Sequence, residues 1–128
     1  MLLLRDMASR TSILVVEDDR AMREMLVSLL EEEGIAARGV EDGEQALRAL
    51  RRQEFDAVLS DCDMPHMGGL ALLEQLRSFR PRLPVVLMTA LGGSITADEA
   101  RDAGAVDFLQ KPFAVDELLR KLARAVPH

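Results

Sequence analysis

Five short apolar runs, separated by longer stretches of helical period, do most to restrict what this chain can fold into. Runs at Ser12 to Val16, Ala36 to Val40, Ala57 to Ser60, Val85 to Thr89 and Val106 to Leu109 read as strands. Between the first two, Met22, Met25, Leu26, Leu29 and Leu30 recur at three- and four-residue steps, predicting one apolar helix stripe that ends at Gly34. Asp42-Gly43-Glu44-Gln45 opens a second helix as a capping box, with Ala46, Leu47 and Leu50 on its buried face. Leu70, Leu73 and Leu76 mark a third helix, and Leu118, Leu119, Leu122 and Val126 a last one ending near Pro127. Thr96 to Glu99 form a capping box for a short fourth helix with only Ala97, Ala100 and Ala103 to bury, so it is expected to be weakly held. Such alternation predicts an α/β fold, a parallel sheet covered by helices on both faces.

At 128 residues the chain is one domain by length. Residues 1–10 are expected to be a disordered leader, with Met7 an alternative start, and 11–128 the folded domain. A net charge of −6 argues against nonspecific nucleic-acid binding by this domain, because a phosphate backbone needs a basic surface. The longest apolar stretch, Leu83 to Leu91, is too short to cross a bilayer, and the N-terminus lacks the pattern of a signal peptide. The single Cys62 cannot form an intrachain disulfide, which fits a cytoplasmic location and equally a cysteine-poor exported protein.

Chemistry concentrates at the strand ends. Ile13-Leu14-Val15-Val16 runs into Glu17-Asp18-Asp19, and Ala57-Val58-Leu59-Ser60 runs into Asp61-Cys62-Asp63-Met64-Pro65. If these strands are neighbours, four or five carboxylates crowd one pocket, an arrangement that calls for a hard divalent cation. Asp61, on a loop kept out of helix by Pro65 and two glycines, is expected to be exposed and to accept a phosphoryl group. Lys111, one of two lysines among sixteen basic residues, follows the last strand at the same edge. Its compact ammonium suits a point contact with a phosphoryl oxygen. Thr89 offers a hydroxyl there, followed by the small Ala90. Each residue taken singly also has a plain structural use: Asp61 as a turn cap, Glu17 and Asp18 as dipole partners of a helix, Thr89 as a strand former, Lys111 as a solvated loop residue. Cys62 reads as a small, partly buried hydrophobe, and His66 has no second histidine nearby for a metal site.

From Ser12 to Val126 the chain resembles the receiver domain of bacterial two-component response regulators. The resemblance rests on ILVVEDD, VLSDCDMP, VVLMTA and FLQKPF, in that order. It implies a doubly wound, flavodoxin-like five-stranded parallel sheet of strand order 2-1-3-4-5. It implies that Asp61 takes a phosphoryl group from a sensor histidine kinase, a histidine phosphotransfer protein or a small phosphodonor. Magnesium (or manganese) would be held by Asp18 and Asp61, the backbone carbonyl of Asp63, and Glu17 through water. Thr89, Ala90 and Lys111 would hold the phosphoryl group; Thr89 would swing toward it and Phe108 would fill the space vacated. The surface of the fourth helix, fifth strand and fifth helix, with Arg120, Lys121 and Arg124 beside Asp98, Glu99 and Asp102, would then bind a second copy or an effector.

Some positions depart from the family pattern. Asp63 occupies a variable position, Gly68 stands where an aspartate often caps the third helix, and Ala114 replaces a frequent hydroxyl cap on the last one. Gly92-Gly93 are expected to loosen the loop after Thr89. Two other classes compete: Asp61-Cys62-Asp63 also resembles the nucleophile motif of haloacid-dehalogenase-type phosphatases, though Pro65 and the upstream acidic cluster depart from it, and a receiver-like module could work without phosphate.

Overall fold

The computed structural model describes residues 11–64 and 66–127. The expected leader over residues 1–10 and the motif residue Pro65 lie outside these described residues. Ten elements alternate: β1 (Ser12–Val16), α1 (Arg20–Glu32), β2 (Ala36–Val40), α2 (Gly43–Arg52), β3 (Ala57–Asp61), α3 (Gly69–Phe79), β4 (Val85–Ala90), α4 (Ala97–Ala103), β5 (Asp107–Lys111) and α5 (Val115–Ala125). All strand pairs are parallel, in the order β2-β1-β3-β4-β5. This is the helix-covered parallel sheet that the alternation predicts, in the doubly wound, flavodoxin-like order that the resemblance implies. The order reverses between β1 and β3, and in such sheets the crevice beyond the carboxyl ends of those strands is where ligands bind.

Strand alternation divides the apolar side chains between two faces. Leu14, Val16, Val58 and Leu87 join α2, α3 and α4 in one cluster with Leu47, Leu50, Leu72, Leu76 and Ala100. Ile13, Val15, Leu59 and Met88 join α1 and α5 in the other, with Leu26, Leu30, Leu118 and Leu122. β3 is buried along its whole length, as a central strand covered on both sides must be. Burying one such leucine contributes about 1.5–3 kcal/mol.

Four expectations change. Met25 is 50% exposed, so the α1 stripe is narrower than its period suggests; Leu26 and Leu30 carry the burial. Val106 is 52% exposed and precedes β5, which begins at Asp107 and runs on to Lys111. Asp42 caps α2 by accepting from the Gln45 N–H, but the Gln45 side chain accepts from Glu41 N–H rather than closing the box on Asp42. In α4 the Thr96–Glu99 box is complete. That helix fully buries Ala100 alone, yet Ile95, just ahead of the cap, is also buried in the same cluster and anchors the entry.

The two weak caps differ in a way the sequence does not reveal. Gly68 and Ala114 both cap without a side-chain hydrogen bond. Ala114 is exposed, so Ala114→Asp is expected to stabilise the fold by about 1 kcal/mol. A Cβ at Gly68, however, would overlap the carbonyl oxygen of Cys62. Gly68→Asp is therefore expected to destabilise, by about 1–3 kcal/mol, although it installs the better capping residue. Urea midpoints of the two variants check this; shifts of the same sign would contradict it.

Candidate functional site

The carboxyl ends of β1 and β3 lie side by side, with Val16 paired to Ser60, and the chemistry-bearing residues follow directly. Glu17 leaves β1 with its N–H donating to the Val40 carbonyl at 3.1 Å, which ties the exit to β2. From α1, Arg23 Nη1 donates to the carbonyl of Glu17 at 2.9 Å and to that of Asp18 at 3.5 Å. Its stem crosses Gly39, where a Cβ would come within 2.8 Å of Arg23 Cγ. This clamp holds the acidic loop, and nothing in the sequence pattern points to it. At β3, Gly68 and Gly69 let the start of α3 pack on the backbone of residues 61 and 62; a Cβ at Gly69 would sit 3.0 Å from the Asp61 carbonyl oxygen.

Glu17, Asp18 and Asp61 each place a carboxylate oxygen within 4.8 Å of the other two. Among the described residues three carboxylates meet here, rather than the four or five the strand ends suggested. Asp19 is used as the α1 cap, accepting from Met22 N–H at 3.3 Å, and the Asp63 side chain turns toward β4. Asp61 is 4% exposed, against the expectation of an exposed acceptor. It is buried because it ends a central strand under the first turn of α3 and beside Lys111. Asp18 is the exposed member of the three.

Lys111 ends β5 and reaches back across the edge of the sheet. Its Nζ donates to Glu17 Oε1 at 2.6 Å and lies 3.5 Å from Asp61 Oδ1. Burial pushes the Glu17 carboxyl above its ordinary range, opposed by the Lys111 bond and reinforced by the charge of Asp61. For Lys111, burial works against the ammonium, but the bond to Glu17 and the charges of Asp61 and Glu17 outweigh it and hold its pKa above the ordinary value. Cys62 is 9% exposed, and burial, with Asp63 and Asp61 nearby, pushes its thiol up to about 12. It is an inert core residue, as its sequence position suggested. His66 is exposed.

Thr89 is 2% exposed and donates through Oγ1 to Asp63 Oδ2 at 2.7 Å. Ala90 N–H donates to the same oxygen at 3.2 Å, and Ser94 N–H to Oδ1 at 3.1 Å. Although burial acts against the charge, the bonds from Ser94, Thr89 and Ala90 bring the Asp63 carboxyl down to about 2. Gly92-Gly93 thus sit in a loop tied down by Asp63 rather than loosened. Phe108 is partly buried against the α2–α3–α4 cluster. Behind it, Lys121 Nζ donates to the Phe108 carbonyl at 2.7 Å and lies 3.6 Å from Asp107 and 3.2 Å from Glu117. Lys121 is thereby engaged within its own domain, unlike Arg120 and Arg124, which stay exposed.

Residues 13–123 match the family model described as response regulator receiver domain. The response regulator protein FleR of Pseudomonas aeruginosa is 46% identical over 112 residues, 88% of this chain and 24% of FleR. The DNA-binding transcriptional regulator NtrC of Escherichia coli is 40% identical over 119 residues, 93% of this chain and 25% of NtrC. The chain thus spans about a quarter of the length of these relatives. A solved structure of the response regulator protein TrrA from Thermotoga maritima, in complex with Mg(2+)-BeF, superposes with a TM-score of 0.81 at 30% identity, covering 91% of this chain and 99% of that one. Because the family match runs from within β1 to within α5 and touches every element between them, the chain belongs to the receiver-domain family of response regulators.

Proposed function

We propose that Asp61 is the phosphoryl acceptor of a two-component phosphorelay. The observation that carries this reading is the meeting of its carboxylate with those of Glu17 and Asp18 within 4.8 Å, and with Lys111 Nζ at 3.5 Å. A carboxylate oxygen of Asp61 attacks phosphorus, the P–N bond of a phosphohistidine or phosphoramidate breaks, and its electron pair leaves on nitrogen, which takes a proton from water. Such transfer needs mainly positioning and charge neutralisation. Lys111 can supply one positive charge to the phosphoryl group by exchanging part of its bond with Glu17 for it. Thr89 Oγ1 and Ala90 N–H are the donors proposed for the remaining phosphoryl oxygens, with Phe108 closing in as Thr89 moves.

The donor set fits a hard cation, since three carboxylates converge, the Lys111 ammonium pairs with only Glu17 and Asp61 of them, and all offer oxygen. Asp18 and Asp61 would hold magnesium, or manganese, directly, with the Asp63 carbonyl as a further ligand and Glu17 through water. When bound, that ion supplies positive charge against the phosphoryl oxygens. The TrrA complex with Mg(2+)-BeF supports this by likeness.

A sensor histidine kinase or histidine phosphotransfer protein in the cytoplasm is the proposed donor. The α4–β5–α5 surface, which carries the Arg101–Asp98 pair and exposed Arg120 and Arg124, is the proposed output face toward a second copy or an effector. Among the described residues no helix is long and apolar enough to cross a membrane. Phosphoramidate with magnesium is expected to add one phosphoryl mass per chain, and none with a chelator present. No added mass would overturn the reading. Many turnovers of p-nitrophenyl phosphate per chain would replace it with a haloacid-dehalogenase-type phosphatase.

A further inference from the structure

We propose that the Asp63 carboxylate is a built-in competitor of the phosphoryl group, occupying in the unmodified protein the Thr89 hydroxyl and Ala90 amide that the modified Asp61 recruits. The inference rests on the reading above that these two groups serve the phosphoryl oxygens. One oxygen of Asp63 accepts from both, at 2.7 Å and 3.2 Å. The other accepts from Ser94 N–H at 3.1 Å, and Asp63 N–H donates to Asp61 Oδ1 at 3.3 Å, so the segment is held at both ends. The close approach is built in. A Cβ at Gly93 would overlap Thr89 Oγ1 and stand 2.9 Å from Asp63 Oδ2, so only glycine leaves room for the Thr89–Asp63 bond.

An anion already seated on two donors is an obstacle to a second anion that needs them. Lys111 is not part of the competition, since its bonds go to Glu17 and Asp61. When the phosphoryl group takes Thr89 and Ala90, the Asp63 carboxylate keeps only Ser94, and two like charges then stand close together. Both effects push Asp63 outward and release Ser94. Ser94 lies two residues before Thr96, the cap of α4, and next to Ile95, which anchors that helix. Displacement of Asp63 therefore transmits occupation of the acceptor to α4 through the β4–α4 loop. Asp63 acts through Thr89, Ala90 and Ser94, and is a positioning residue.

Beryllofluoride, a phosphoryl mimic, tests this at saturating magnesium on the 128-residue chain, in wild type, Asp63→Ala, Thr89→Ala and the double variant. Titration calorimetry is expected to show Asp63→Ala binding it roughly tenfold more tightly, on the order of 1.4 kcal/mol. In the Thr89→Ala background the gain is expected to fall to roughly threefold, because only the Ala90 amide remains to be freed. The Ser94 amide gives a second readout: beryllofluoride should speed its hydrogen exchange in wild type, and Asp63→Ala should show fast exchange from the start. Equal affinity of wild type and Asp63→Ala would overturn the proposal. So would a gain of the same size with and without Thr89, which is the signature of long-range charge repulsion alone. Failure of wild type and every variant to bind beryllofluoride would instead overturn the reading of the acceptor site itself.

Discussion

Asp61→Asn is expected to abolish phosphoryl uptake from phosphoramidate while making the magnesium-free protein slightly more stable. The amide keeps the size of the side chain but lacks the negative charge that would make its oxygen a nucleophile toward phosphorus. Uptake should fall below detection by intact-mass measurement, a loss larger than any surface substitution produces. Stability moves the other way because Asp61 shares its surroundings with Glu17 and Asp18, all within 4.8 Å. Like charges about 4 Å apart repel by roughly 1–4 kcal/mol at the dielectric constants of a protein surface. Lys111 offsets part of that and retains its 2.6 Å bond to Glu17 in the variant. A net gain of about 1 kcal/mol in chelator, read from urea unfolding, is the expected balance. Persistent labelling of Asp61→Asn at full stoichiometry would falsify the acceptor assignment.

Lys111→Met is expected to be the most destabilising single change at the site. Glu17 is 1% exposed and Lys111 Nζ is its charge partner. Methionine fills a similar volume but leaves a buried carboxylate facing Asp61 with no cation beside it. Breaking a buried pair from one side costs about 3–5 kcal/mol, and since the Lys111 side chain is 24% exposed the lower figure applies. Magnesium should return part of the loss, because it brings positive charge to the same carboxylates. Unfolding curves in chelator and in excess magnesium measure both quantities. A variant as stable as wild type in chelator would show that Glu17 does not depend on Lys111.

The convergence of Glu17, Asp18, Asp61 and Lys111 was legible because it follows from topology. Residues at the carboxyl ends of adjacent parallel strands are neighbours whatever the loops do, and apolar runs locate those ends to within one or two residues. What was not legible depends on long side chains and loop conformations, which carry no period. Arg23 reaches the acidic loop from one turn into α1, yet in sequence it is one of two arginines in the first turn of that helix and one of fourteen in the chain. The bonds of the Asp63 side chain leave no trace in the sequence, because the course of the β4–α4 loop that brings Ser94 and Ala90 to it is set by Gly93 packing against Thr89. Ile95 anchors α4 from outside the helix, so counting the apolar residues of the helix itself missed it. Met25 failed in the opposite direction: a residue in register with the stripe lies at its margin, where solvent reaches half of it.

The sheet keeps its two apolar clusters apart, with α4 contributing to one and α5 to the other although both flank β5. Solvent that enters beneath a loosened α4 meets the backbone of β4 and β5 before it can reach Leu118, Leu119 or Leu122. The free energy that keeps the domain folded is thus largely insulated from the free energy that keeps α4 docked. An excursion of α4 remains a local event, repeatable many times within the lifetime of one folded molecule, and the domain can change its surface without approaching its own unfolding transition.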